Sequence, residues 1–170
     1  MELQLYHDVI GGTMTNSEMR SKVEEVIKKW RKLQEEVWAV EGDAENMAFS
    51  QGLGEPVQSS SISDKTARGA FLLDSISEKR AWVECVTDAM KWLGEEQPDL
   101  QRLLYGHYGM DKTKGYKRNH ARSFTKSYCE VYHISISEYK SRRWEGLNQI
   151  ANLAAEYGLV SIRTKVRPEH

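Results

Sequence analysis

Residues 132–147 read YHISISEYKSRRWEGL, and this stretch decides the fold. Ser135 is followed three residues later by a glutamate, which is the Ser-x-x-Glu capping box that begins a helix. Beyond the cap, Tyr139 and Leu147 recur on one side of a helical repeat, so that side is expected to be buried. Gly146 beside Leu147 leaves room for a close neighbour. The stretch therefore predicts a long helix with one buried face.

A second helix is predicted immediately before this stretch, over about residues 121–132. Its expected buried residues are Phe124, Tyr128 and either Val131 or Tyr132. The connection is His133-Ile134-Ser135, in which Ile134 is expected to fill the gap between the two helices. Helices joined by so short a turn pack at a steep angle, and the second can protrude. We therefore interpret residues 121–158 as a helix-turn-helix whose long helix is closed by Gly158.

The exposed side of the long helix is expected to meet DNA. Residues in its first turns can reach base edges in the major groove, and residues one turn further along lie where phosphates pass. The exposed side begins with Ile136, and the predicted contacts on it are Ser137, Lys140, Ser141, Arg142 and Arg143.

The charge is distributed unevenly along the chain. Residues 1–99 hold 11 Lys/Arg and 19 Asp/Glu, a net charge of −8, whereas residues 100–170 hold 13 and 6, a net charge of +7. Such asymmetry suggests that the second half meets a polyanion; the alternative is that it pairs with the acidic half. The predicted DNA contacts that precede the turn are Lys112, Lys114, Lys117, Arg118, Arg122 and Lys126, most of them in a basic loop over residues 112–122.

An amphipathic helix is predicted near the N-terminus, with Asn16 or Ser17 as its cap. Its apolar residues follow the 3-4 spacing of a coiled-coil seam and are Met19, Val23, Val26, Trp30, Leu33, Val37 and Val40. Two alternatives stay open at this point. The helix pairs with a second copy to form a homodimer, or it packs across its own domain.

Glycine, proline and serine divide the rest of the chain. Residues 42–63 are predicted to be a linker, which separates residues 1–41 from a helical domain over 64–158, and residues 159–170 are a tail. A long helix is expected from Ser63 or Asp64 to Leu93, either continuous or bent near residues 77–78, and ended by Gly94. Asp99 is then expected to cap a helix that Gly109 stops in the left-handed conformation. The predicted fold class is all-α.

The C-terminal motifs resemble region four of bacterial sigma factors. The likeness is carried by Tyr108-Gly109-Met110-Asp111, Tyr132-His133-Ile134-Ser135, Tyr139 and Gly146-Leu147. The loop over residues 112–122 departs from that pattern, since it is longer and more basic. The wider layout is similar to phage transcriptional regulators of the RinA/ArpU type, through the helix start Ser63-Asp64-Lys65-Thr66-Ala67 and the Leu147-x-x-Ile150-Ala151 segment. This resemblance implies an activator of phage or prophage late genes.

Other function classes find little support in the sequence. It has no glycine-rich phosphate loop, and Cys129 with His133 forms at most half of a zinc site, so we expect no enzyme activity, cofactor or metal. No apolar run approaches a membrane span of ~20 residues and no signal peptide is recognisable, so a cytoplasmic protein without membrane contact is expected. The main hypothesis is a sequence-specific regulator that binds double-stranded DNA. The alternatives are a phage small terminase subunit and a sigma-like adaptor that binds RNA polymerase.

Overall fold

The computed structural model describes residues 16–52, 69–111 and 115–160, and every regular element in these ranges is a helix. The all-α fold class is therefore confirmed. We number the helices α1 (Asn16–Lys28), α2 (Trp30–Gly52), α3 (described over residues 69–75), α4 (Ser77–Glu96), α5 (Pro98–Tyr108), α6 (Arg118–Tyr132) and α7 (Ile136–Glu156).

The N-terminal amphipathic helix differs from the prediction at two points. It is divided at Lys29, whose amide is shared between the carbonyls of Glu25 and Val26. It also continues to Gly52, so the prediction of a linker was wrong for residues 42–52. The alanine, glutamate and methionine residues of this segment favour a helix, and together they outweigh the ~1 kcal/mol that an internal Gly42 costs. The rest of the predicted linker, residues 53–63, lies outside the described residues, as does the expected helix start at Ser63.

The apolar seam of this helix is buried within the chain itself. Its most buried members are Met19, Val23, Val26, Trp30 and Val37, while Leu33 and Val40 are half-buried. Helix α1 packs against α7, and α2 packs against α4. The structure thus shows the second alternative, in which the seam packs across its own domain.

The central helices bend where the hydrophobic phase shifts. The chain turns at the buried Ile76, so the bent alternative is the one observed. Gly94 does not end α4, contrary to the prediction. A side chain at Gly94 would collide with Gln101, whose amide donates a 2.8 Å hydrogen bond to the Met90 carbonyl. Its small size therefore serves the contact between α4 and α5 rather than a helix end.

The boundary between α4 and α5 lies at Gln97. Pro98 occupies the first turn of α5, where its missing amide hydrogen costs nothing. Asp99 was predicted as the cap, but Gln97 holds that position and Asp99 lies in the first turn. Gly109 does adopt the left-handed conformation, with φ of 59°, which confirms the predicted stop.

The core lies between α4, α5 and α7, with α1 and α6 on its sides. Its fully buried side chains include Leu93, Leu103, Leu104, Leu147 and Ile150. A Cβ placed on Gly146 would lie 2.9 Å from Leu104 Cδ1, so the predicted need for a small residue at this position is confirmed. This close contact holds α7 against α5 and thereby fixes which side of α7 faces solvent.

Candidate nucleic-acid interface

A three-residue connection, His133-Ile134-Ser135, joins α6 to α7 as the sequence predicts. His133 ends α6 in the left-handed conformation with φ of 52°, and the Ile134 amide donates back to the Cys129 carbonyl at 3.1 Å. Ile134 is partly buried and packs against the core. The Ser135 hydroxyl accepts a hydrogen bond from the Glu138 amide at 3.1 Å, which confirms the predicted cap.

Helix α7 has one buried side and one exposed N-terminal end. Its buried side contains the predicted set Tyr139, Leu147, Ile150, Ala151 and Ala154. The opposite pattern holds in its first two turns, where Glu138 is exposed and paired with Arg142, and four further exposed residues are Ile136, Ser137, Lys140 and Ser141. We call these four residues the α7 tip. Ile136 is 61% exposed although it is a large apolar residue.

Helix α6 begins earlier than predicted and buries fewer residues at its end. It starts at Arg118, so residues 118–122 of the predicted basic loop are helical. Tyr128 is buried and Phe124 partly buried, as expected. Neither Val131 nor Tyr132 is buried: Val131 is 71% exposed, and Tyr132 is 41% exposed although its ring stacks on that of Tyr128 with 4.2 Å between the centroids.

Basic side chains line α6. Arg118, Arg122 and Lys126 recur every four residues, which places them along one edge of the helix. We call these three residues the basic stripe, and all of them are exposed, as is Lys117. Lys126 lies 4.0 Å from Glu130.

Four of the predicted DNA contacts are free of carboxylate partners. Among the described residues, no ion pair involves Lys117, Arg118, Arg122 or Lys140. Two more of the predicted contacts, Lys112 and Lys114, lie outside the described residues.

Two of the predicted phosphate contacts have internal partners instead. Arg142 pairs with Glu138 at 2.9 Å, one turn earlier on α7. Arg143 donates a 2.9 Å hydrogen bond to His107 Nε2 and lies 3.8 Å from the Glu24 carboxylate, with only 19% of its side chain exposed. Arg143 therefore joins α7 to α5 and α1 within the domain, while its role as a phosphate contact stays a prediction.

A chain of hydrogen bonds continues from Arg143 into the domain. A guanidinium can only donate, so His107 Nε2 accepts and Nδ1 carries the proton, which it donates to Tyr139 at 2.9 Å. The chain Arg143–His107–Tyr139 links α7 to α5 next to the α7 end of the turn, and so it helps to orient the first turns of α7.

Burial keeps His107 neutral. Loss of solvent, together with the nearby positive charge of Arg143, lowers the pKa of His107 from its usual 6.5 to about 4. Sequence reasoning missed this residue as a structural element. The available signal was its position on the apolar face of α5, four residues after Leu103 and next to Tyr108.

Sequence reasoning also missed a contact between α1 and the exposed side of α7. The guanidinium of Arg20 lies over the ring of Trp144, 5.1 Å from its centroid. No pattern in the sequence could reveal this pair, because it depends on how α1 docks on α7.

Comparison of the chain with models of known protein families, with curated proteins and with solved structures finds no match. Within the described ranges, no three His, Cys, Asp or Glu side chains are grouped closely enough to hold a metal ion. None of the helices described has the length and apolar character needed to cross a membrane. The functional argument consequently depends on the charge, exposure and packing of the chain's own residues.

Proposed function

We propose that the protein is a sequence-specific regulator of transcription that binds double-stranded DNA, with the α7 tip entering the major groove. The observation that carries the proposal is the exposure of that tip on a helix held rigidly from behind. Tyr139 and Leu147 are almost fully buried, while Ser137, Lys140 and Ser141 are exposed. Exposed hydroxyls and an ammonium on a fixed helix suit the donor and acceptor pattern of base edges.

The basic residues outside the tip supply the second kind of contact that DNA binding requires. Phosphate contacts position a protein on the duplex and provide most of the affinity, whereas base contacts select the sequence. Lys117 and the basic stripe suit the first role, because they are exposed and three of the four have no carboxylate within ion-pairing distance among the described residues. The tip suits the second role.

The resemblance to phage regulators extends this proposal. It supports activation of phage or prophage late genes in the cytoplasm of a bacterial host, with RNA polymerase as a second partner. A homodimer on a two-fold symmetric operator fits the same class of regulator. Such a dimer would need a surface other than Met19, Val23, Val26, Trp30 and Val37, since these residues lie in the core of a single chain.

The proposal is tested by selecting bound sequences from a random duplex pool. Fluorescence anisotropy then compares the selected duplex with a shuffled duplex of equal composition over a range of KCl concentrations. We expect the selected duplex to bind about a thousandfold more tightly, and affinity for both duplexes to fall steeply with salt.

A control variant separates DNA contacts from net charge. Lys32→Ala removes a cation on α2 that is exposed and pairs with Glu36 at 3.7 Å, so it should leave binding unchanged. Equal affinity for both duplexes, or no binding at low salt, would contradict the proposed function.

A further inference from the structure

Arg20 lies against an aromatic ring and has no ion pair among the described residues. Of the other cations of α1 and the start of α2, Lys22 also has no such ion pair, and the remaining four pair with a glutamate four residues away; these pairs are Lys28–Glu24, Lys29–Glu25, Arg31–Glu35 and Lys32–Glu36. Glu24 stands four residues after Arg20, yet no ion pair joins them, and no other described carboxylate pairs with Arg20. Its guanidinium instead lies over the Trp144 ring.

Glu24 fixes this arrangement from one turn further along α1. Its carboxylate lies 3.2 Å from Lys28 and 3.8 Å from Arg143, and accepts a 3.2 Å hydrogen bond from Tyr108. The neighbouring residues Arg143 and Trp144 thus both contact α1, one through Glu24 and the other through Arg20. These contacts dock α1 on α7, and the docking places Arg20 beside Trp144.

The stacked pair continues the exposed side of α7. Trp144 is 47% exposed and follows Lys140 by four residues, or one helical turn. Lys140 has no carboxylate partner among the described residues either. An arginine that stacks on an aromatic face keeps the donors on the edge of its guanidinium available. Two cations without carboxylate partners therefore border the exposed side of α7, one from α7 itself and one from α1.

We infer that Arg20 is a DNA contact supplied by the N-terminal helix, with Trp144 as the platform that holds it. This inference rests on the proposed function. The ligand is a phosphate of the duplex rather than a base, because Trp144 lies in the third turn of α7, beyond the tip that enters the groove. The helix predicted from its sequence as an oligomerisation element is thus part of the DNA-binding surface.

The inference is tested by the salt dependence of binding to the selected duplex. Affinity falls with salt, and loss of one phosphate contact makes this dependence shallower: the magnitude of the slope of log affinity against log salt decreases by about 0.9. This change corresponds to roughly eightfold weaker binding at 0.1 M salt. Arg20→Gln should show both effects. The matched control is Lys22→Gln, which removes the same charge from the other flank of the same helix and should show neither.

A second pair of variants tests the role of the platform. Trp144→Leu should weaken binding, and Arg20→Gln should have a smaller effect in that background than in the wild type, because the guanidinium is no longer held in place. Circular dichroism of each variant confirms that it remains folded.

The outcomes separate the two proposals. Suppose that the wild-type protein prefers the selected duplex to the shuffled one, but that Arg20→Gln and Lys22→Gln show the same dependence of affinity on salt. The inference is then overturned and the proposed function stands. If the wild-type protein does not bind DNA, both are overturned.

Discussion

Lowering the pH from 7.5 to 5.0 should destabilise the protein through His107. The imidazole is buried between Tyr139 and Arg143, and burial together with the Arg143 charge lowers its pKa to about 4. In the unfolded chain the pKa returns to its usual 6.5, so the unfolded state binds more protons in the interval between the two values. The stability that the neutral His107 contributes is therefore fully present above about pH 6.5 and is lost as the pH falls towards 4.

The magnitude follows from these two pKa values. At pH 5.0 the stronger proton binding of the unfolded state lowers the free energy of unfolding by roughly 2 kcal/mol, and at pH 7.5 this effect is negligible. The side chain of His107 is only 6% exposed, so little screening by solvent is expected. Glu24 contributes little in this interval, because the stability that it adds is lost mainly as the pH falls through 4.5 and below. Burial raises its pKa, but Lys28 and Arg143 outweigh that effect and hold it below 4.5.

Urea denaturation followed by circular dichroism measures the effect at the two pH values. The variant His107→Gln keeps a donor and an acceptor at this position but cannot titrate. We expect the wild type to lose roughly 2 kcal/mol more stability than this variant between pH 7.5 and 5.0. Equal losses in both proteins would refute the reasoning, because the imidazole would then be hydrated or already charged in the folded state.

Three further predictions concern the packing of the helices. Gly146→Val should lower the free energy of unfolding by about 1–3 kcal/mol because its side chain would press on Leu104, and an unchanged thermal midpoint would contradict this contact. Ser135→Ala should cost about 1 kcal/mol through loss of the α7 cap, measured by urea denaturation; a loss as small as that of the exposed control Val131→Ala would contradict the cap. Val23→Asp should unfold the chain, because it buries a charge; a folded monomer seen by light scattering and circular dichroism would show instead that the seam serves self-association.

Features governed by local rules could be predicted from the sequence. The Ser135 cap, the left-handed Gly109 and the turn around Ile134 each depend on residues within one or two turns, and the structure contains all three. The helical repeat also identified the buried side of α7. These elements suffice to define the α7 tip as a candidate site.

Features that depend on distant partners could not be predicted. The partners of Arg143 are one example, because nothing in its neighbourhood reveals that Glu24 and His107 would surround it. Gly94 looked like a helix end because its close contact with Gln101 arises only after α5 folds back on α4. In both cases the residue type was informative, but its contacts were decided by packing between helices.

The most direct test of the central claim compares two lysines on two DNA duplexes. Lys140 lies in the α7 tip, whereas Lys117 precedes the basic stripe, and both are exposed. We predict that Lys140→Ala weakens binding to the selected duplex more than to the shuffled one, and that Lys117→Ala weakens both equally and lowers the salt slope by about 0.9. Equal effects of the two substitutions on both duplexes would contradict the assignment of α7 as the helix that reads DNA.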